Sequence, residues 1–227
     1  MITVYYHPIM TSRIYDKSAY IHPLFADGVY IEPKKLIDED TNHAKLEYYH
    51  CPAWRHTASN TFVFYNQLDL DFKYDLDTKK LDASKVREDH WQELVGIDPN
   101  FLPNTGVLVA QISTGAIFWS EDRKDLWINQ QPFWNLSKQS NLELIGASMP
   151  IGVWSRPVNI AVKALDNHIN LKRGQPIFTV NFSDFKENIR LVRKEPSPTF
   201  MDKLRQYIDV KNYLPKASWN IIKRKSK

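Results

Sequence analysis

The sequence predicts a mainly β protein of the jelly-roll or β-sandwich type, with a short internal helix and a C-terminal helix. Several short segments alternate apolar and polar residues, which is the period of a half-buried strand. Proline is plentiful at 13 residues and glycine scarce at 7, a balance that favours strands and rigid loops over long helices. With 227 residues and 43% hydrophobic content, the chain can bury a substantial core. Many short strands with turns between them favour a sandwich or jelly roll.

The strongest strand signal covers residues 153–182. Apolar residues alternate with polar or small ones before and after a tight connection at residues 172–176, so we predict two strands joined there. Gly174 supplies the backbone freedom that the reversal needs.

Other segments predict further strands. Residues 68–77 alternate apolar with mostly acidic residues, and the aromatic and β-branched run at 61–65 predicts a strand beside it in the central part of a sheet. Residues 106–120 predict a hairpin with its turn at 113–115. Proline-bounded segments at 2–6 and 28–31 predict edge strands.

Two segments have a helical period. Residues 82–96 predict the internal helix, with Ser84 as N-cap and Gly96 as its stop. The second helix follows Ser197, a predicted N-cap, with Pro198 at its favoured first position. We therefore predict a β-rich domain over residues 1–197 and a C-terminal helix with a basic tail over 198–227.

Composition bounds the location of the protein. No run of eighteen apolar residues and no signal-peptide pattern occurs, so we expect neither a membrane protein nor an exported one, but a protein of the cytoplasm or of a virion. The single cysteine, Cys51, excludes an internal disulfide and a cysteine-based zinc cage.

The histidines of residues 43–56 are the first candidates for chemistry. His43, His50 and His56 could hold a metal together with Asp38 or Asp40, but Pro52 interrupts any strand between them and no short ligand pair is present. We predict no metal site and no cofactor; if a metal is bound, the ligands expected are His43, His50 and His56.

Two other candidates have simpler interpretations. Cys51 could be a nucleophile with His50 or His56 as its base, although free cysteine is more commonly buried and inert. The acidic strand face could bind calcium, but its spacing lacks the glycine and the distal glutamate of a calcium loop, which favours a solvated face. Since no G-x-S-x-G, P-loop or dinucleotide motif occurs, we predict no catalytic residues.

Aromatic and basic segments predict binding. Residues 127–134 could form an aromatic platform for a partner, although tryptophan is more commonly buried. The stripe on the C-terminal helix adds apolar residues, and the predicted partner-binding residues are Trp127, Phe133, Trp134, Phe200, Leu204 and Tyr207. Residues 198–227 hold eight basic and two acidic residues, so of the formal net charge of +4 the preceding chain contributes about −2. The basic tail consists of Lys223, Arg224, Lys225 and Lys227.

Short motifs carry two resemblances. Cys51-Pro52, the strand start at residues 60–62, Arg156-Pro157 and the connection at 173–178 resemble an uncharacterised β-rich family of bacteria and phages, over about half the chain. The last hairpin is similar to the closing strands of the dUTPase and dCTP deaminase jelly roll, without that family's substrate motifs. The resemblance implies a fold and no activity. The lysine- and asparagine-rich character also resembles tailed-phage proteins.

The leading hypothesis is a non-enzymatic assembly or binding protein, a structural component of a tailed-phage virion, that contacts other proteins or further copies of itself through aromatic loops and its C-terminal helix. One alternative is an enzyme of nucleotide or sugar metabolism on a β-scaffold. A second alternative is nucleic-acid binding through the basic tail.

Overall fold

The structure is a computed structural model that describes residues 1–8, 33–39, 50–66, 69–75, 77–78, 80–82, 84–85, 95–97, 108–133, 140–153, 157–182 and 187–213. Its strands are β1 (Ile2–Pro8), β2 (Lys34–Lys35), β3 (Thr61–Tyr65), β4 (Leu70–Asp75), β5 (Lys80–Asp82), β6 (Val95–Ile97), β7 (Leu108–Trp119), β8 (Trp127–Pro132), β9 (Leu142–Ile145), β10 (Ala147–Pro150), β11 (Pro157–Ala164), β12 (His168–Leu171), β13 (Pro176–Phe182) and β14 (Ile189–Arg193). The helices are α1 (Leu36–Glu39), α2 (Pro52–Ser59) and α3 (Pro198–Tyr213).

The strands form three sheets. The first has the order β14-β1-β7-β11-β9, with β6 also paired to β7; the second has the order β10-β8-β13-β3-β2; the third is β12-β4-β5. Neighbours run antiparallel except β1 and β14, which are parallel. The predicted mainly β, sandwich-like class is confirmed.

The main core lies between the inner faces of the first two sheets. Phe118 of β7 meets Phe64 of β3 edge-on, with ring centroids 5.5 Å apart, and Phe182 of β13 at 6.1 Å. Phe64 stacks on Phe178 at 5.1 Å. The third sheet adds its apolar face, including Phe72, to the same core. Each such fully buried side chain stabilises the fold by about 1.5–3 kcal/mol.

Both large sheets are also covered on their outer faces. Ile117 and Trp119 of β7 pack against Leu204 and other buried residues of α3. Val63 of β3 packs in a cluster that includes Ala58 of α2. Layers therefore follow one another as helix, sheet, core, sheet and helices. Within the described part of the chain, no helix combines the length and the apolar character that crossing a membrane requires.

The strands predicted within residues 153–182 exist, but their predicted pairing is wrong. β11 pairs with β7 and β9, whereas β13 pairs with β3 and β8 in the other sheet. The chain crosses between the sheets through β12, and it turns into β13 at Gly174, whose φ of 81° favours glycine. Alternation identifies a strand and not its neighbour, and this accounts for the error.

The hairpin predicted over residues 106–120 is also wrong. β7 runs unbroken from Leu108 to Trp119, and its pairing with β11 shifts register between Val158 and Asn159. Val158 faces Ala116 while Asn159 faces Ser113, so residues 114–115 of the predicted turn are the extra residues of a bulge.

Two further expectations need correction. Most of the helix predicted over residues 82–96 falls on 86–94, which lie outside the described residues, but its predicted stop, Gly96, lies in β6; α2 is an internal helix that was not predicted. The segment predicted as an edge strand at 2–6 is an inner strand, since β1 lies between β14 and β7. The strand predicted at 28–31 lies outside the described residues. The alternation of β4 is confirmed, although β4 and β3 belong to different sheets.

Candidate functional site

The histidines predicted as possible metal ligands are placed by helix α2 and not by an extended chain. Pro52 begins this helix at a position that favours proline, so His50 precedes it and His56 lies in its last turn. Both are exposed, His43 and Asp40 lie outside the described residues, and nothing is described of the Asp38 side chain. In the described ranges, no group of three or more His, Cys, Asp and Glu could hold a metal ion.

Cys51 is exposed, so the predicted burial of its thiol is wrong. The residue is the N-cap of α2, and its carbonyl accepts a hydrogen bond from the Arg55 N–H at 3.0 Å. The side chain makes no capping hydrogen bond to the first turn of the helix.

The acidic face of β4 consists of carboxylates that already have local partners. Asp71 Oδ1 lies 2.9 Å from His168 Nε2, and this hydrogen bond is the main reason that the pKa of Asp71 is lowered. Asp75 accepts from the Thr78 N–H at 3.0 Å, which lowers its pKa likewise. Asp69 accepts from the Arg173 N–H at 3.0 Å. These contacts fit the predicted solvated face.

The predicted partner-binding residues separate into two environments. Phe133 is buried in a cluster with α2, and Leu204 is buried on the face of α3 that packs against β7, at the base of a cleft. Trp127 is half-buried on β8. Phe200 and Tyr207 are half-buried and line a cleft. Trp134 and the basic tail at 223–227 lie outside the described residues.

Helix α3 forms one wall of this cleft because its start is fixed. The Ser197 hydroxyl accepts a hydrogen bond from the Phe200 N–H at 3.2 Å, and the Ser197 carbonyl accepts from the Met201 N–H at 3.0 Å. The predicted N-cap at Ser197, followed by Pro198, is confirmed. The buried stripe of Met201, Leu204 and Ile208 then holds the helix on β7. This leaves Phe200 and Tyr207 at the margin of the packed face.

The cleft, called the aromatic cleft below, lies between α3, the end of β7 and the turn at residues 151–153, and has a volume of about 300 Å³. Trp119 lines it at the end of β7, only 5% exposed, with its ring centroid 4.8 Å from that of Phe200. The ring of Tyr5 packs against that of Trp119, with the two centroids 5.7 Å apart. Gly152 forms the opposite wall, where a Cβ would lie 2.4 Å from the Arg123 carbonyl oxygen. Rigid contacts on both sides give the cleft a preformed shape.

Charged side chains surround the aromatic surface. Lys194 donates a hydrogen bond to Glu121 Oε1 at 2.6 Å, and this contact raises the pKa of Lys194. The Lys194 ammonium also lies 4.3 Å from the centre of the Tyr5 ring, within the range of a cation–π interaction. Glu195 and Lys203 complete the rim, so both signs of charge border one apolar patch.

The polar groups in the cleft serve the fold. Ser120 Oγ donates to the Thr3 carbonyl at 3.2 Å and accepts from the Arg123 N–H at 3.3 Å, while Ser197 Oγ caps α3. Neither hydroxyl is paired with a base in the manner of an activated nucleophile. An apolar, aromatic centre with a charged rim is the anatomy of a binding surface.

Trp119 and Lys194 were missed by sequence reasoning. The signal for Trp119 was present, because β7 carries apolar residues on both faces: Ile117 and Trp119 alternate with Ala116 and Phe118. Such a pattern shows that both faces of a strand are covered. Lys194 carries no comparable signal, since it reaches the cleft only through the packing of β1 beside β14.

No family model matches the chain, and no curated protein matches it. The two family resemblances of the sequence therefore stay predictions.

Proposed function

We propose that the protein is a non-enzymatic binding or assembly protein that holds a partner protein in the aromatic cleft. The observation that carries this proposal is a preformed cleft in which the half-buried Phe200 and Tyr207, with the buried Trp119 packed against Phe200, have charges of both signs at their rim. Aromatic side chains provide large contact areas and lose little conformational entropy on binding, so they dominate the affinity of many interfaces.

The size of the cleft indicates what it accepts. A volume of about 300 Å³ is at the lower end of the range for ligand pockets, and it fits an apolar or aromatic side chain of a partner. Glu121, Glu195 and Lys203 at the rim then pair with polar groups that flank this anchor. The setting we propose is a tailed-phage particle, supported by the lysine- and asparagine-rich character of the sequence.

Site-specific photo-cross-linking in the producing cells tests the proposal. A photoreactive residue in place of Lys203 stands at the rim, whereas one in place of Gln206, exposed on the same helix, does not line the cleft. We expect one discrete protein adduct from position 203 and none from position 206. An adduct with a second copy of the chain would identify a homo-oligomer. Equal adducts at both positions would contradict the proposal.

Calorimetry with the identified partner then measures the contribution of the rings. The double variant F200A/Y207A is expected to weaken binding by about 30-fold, since a central aromatic contact contributes about 2 kcal/mol or more. The matched control is Trp54→Ala, another half-buried aromatic residue on a helix but outside the cleft. An affinity that is the same for all three proteins would refute a role of the cleft.

A further inference from the structure

A second concave surface lies at the open side of the sandwich, between one edge strand of each large sheet. β14 is the edge of the first sheet and β2 is the edge of the second. The groove between them, called the basic groove below, has a volume of about 630 Å³ and shares no lining residue with the aromatic cleft.

The rim of the basic groove is cationic. Lys34 and Lys35 come from β2, Arg190 and Arg193 come from β14, and all four are exposed. No carboxylate is among the described residues that line it. Glu187, which directly precedes the lining residue Asn188, forms an ion pair with the N-terminal amino group. The exposed Lys35 and Arg190 give this rim a positive charge that attracts an acidic ligand.

The floor is apolar and aliphatic where it is open. Leu191 is half-buried at the edge of the core, beside the buried Ile189. The aromatic rings of the lining are closed to a ligand, since Tyr6 is 2% exposed and Phe62 is 4% exposed. Binding of a single-stranded nucleic acid uses exposed rings as stacking platforms, so this floor favours a peptide with apolar side chains.

The backbone of β14 offers hydrogen bonds on its outer side. The N–H of Lys194, directly after β14, donates to the Tyr6 carbonyl of β1 at 3.0 Å. The N–H of Ile189 points the other way and donates to Asn60 Oδ1 at 2.8 Å. Because successive residues of a strand turn their backbone groups to opposite sides, the N–H and C=O of Leu191 face outward with those of Ile189. No strand of the described ranges pairs with this outer edge.

We propose that the basic groove binds an extended acidic segment of a partner protein, which adds as a strand to the outer edge of β14. Strand addition uses the outward backbone groups of Leu191 for affinity, and alternate side chains of the segment for specificity. The apolar side chains of the segment lie on Leu191, and its carboxylates pair with Arg190 and Lys35.

Fluorescence anisotropy with a defined probe tests this inference. The probe is an acetylated, fluorescein-labelled octapeptide of alternating Glu and Val, and the competing probes replace Glu by Lys or replace the peptide by an oligothymidylate. We expect the acidic probe alone to bind, and to bind more weakly as salt rises. The variant K35E/R190E is expected to bind it about tenfold more weakly, since two exposed attractions to its carboxylates become repulsions.

The control variant K80E/K172E makes the same change in net charge at exposed lysines outside the groove, and it is expected to bind like the unaltered protein. A probe with alternate N-methylated residues keeps the charge but loses backbone donors, so strand addition predicts loss of its binding. The inference would be overturned if both charge variants bound the acidic probe equally weakly, or if the methylated probe bound undiminished. It would also be overturned if the acidic probe did not bind, or if only the oligothymidylate bound in a groove-dependent manner.

Discussion

The side chain of Asn60 joins the two large sheets at their open side, and we predict that Asn60→Ala destabilises the protein strongly. Asn60 follows α2 and precedes β3 of the second sheet, yet its amide bonds the backbone of the first. Its Nδ2 donates to the Glu187 carbonyl at 2.9 Å, and its Oδ1 accepts from the Ile189 N–H at 2.8 Å. The amide thus forms hydrogen bonds with backbone groups at the start of β14, as a neighbouring strand would.

The expected loss follows from the surroundings of the two bonds. Ile189 is 1% exposed, so alanine at position 60 leaves its N–H without a partner and away from water, at a cost of about 1–3 kcal/mol. Glu187 is exposed, so its carbonyl can bond to water and only the net value of a hydrogen bond is lost, about 0.5–1.5 kcal/mol. The free energy of unfolding should therefore fall by about 1.5–4.5 kcal/mol.

Urea denaturation followed by tryptophan fluorescence measures this change. The midpoint should fall while the slope with denaturant stays constant, because the surface exposed on unfolding is unaltered. Asn188→Ala is the matched control: Asn188 is exposed, and its backbone carbonyl, not its side chain, accepts from the Ile2 N–H, so a change within about 0.5 kcal/mol is expected. If both variants lose the same free energy, the bridging role of Asn60 is refuted.

Three further changes test the packing and the charges. Gln130 is 3% exposed and its amide has no hydrogen-bond partner among the described groups, so Gln130→Met should raise the free energy of unfolding by about 1 kcal/mol in urea titrations; a lower value would contradict this. The hydrogen bond from His168 lowers the pKa of Asp71 below 3.8 in the folded protein. The ionised Asp71 therefore stabilises the fold above that pH, and this stabilisation is lost as the pH falls through the lower pKa of the folded state. Thermal melts should show Asp71→Asn less stable than the unaltered protein at neutral pH, with the difference shrinking in acid; a constant difference would argue against the linkage. Gly152→Ala places a Cβ 2.5 Å from the Lys124 Cα and should cost about 1–3 kcal/mol, whereas Gly146→Ala meets only the Gln130 carbonyl oxygen at 3.0 Å and should cost less in the same titration.

Local signals in the sequence predicted elements better than their partners. The alternation of β4 and the cap of α3 were predicted because both depend on residues close together in the chain. The pairing of β11 with β7, the bulge opposite Val158 and the parallel pairing of β14 with β1 were not. Each depends on contacts between residues distant in sequence, and a strand pattern does not specify its neighbour.

The aromatic cleft was predictable in part for the same reason. Phe200 and Tyr207 belong to one helical stripe, and that stripe identified α3 as an element with an apolar face. The stripe alone did not separate Leu204, which is buried on β7, from its half-exposed neighbours, because the division depends on how far Trp119 extends beneath the helix. Packing between elements decides which apolar residues remain at the surface.

Lysine and arginine on an open sheet edge have a simpler role than binding, since edge charges prevent sheets from pairing edge to edge. Two features of the basic groove indicate that its charges bind a partner and do not only prevent edge-to-edge pairing. A protective charge needs no concave apolar floor, whereas the half-buried Leu191 provides one directly beside Arg190. The Asn60 amide also accepts a hydrogen bond from the outward N–H of Ile189 but does not extend along β14 to Leu191. The backbone groups of Leu191 therefore remain directed at the groove. An edge that is bonded at one end, concave along its length and basic at its rim favours an extended acidic partner over exclusion of all partners.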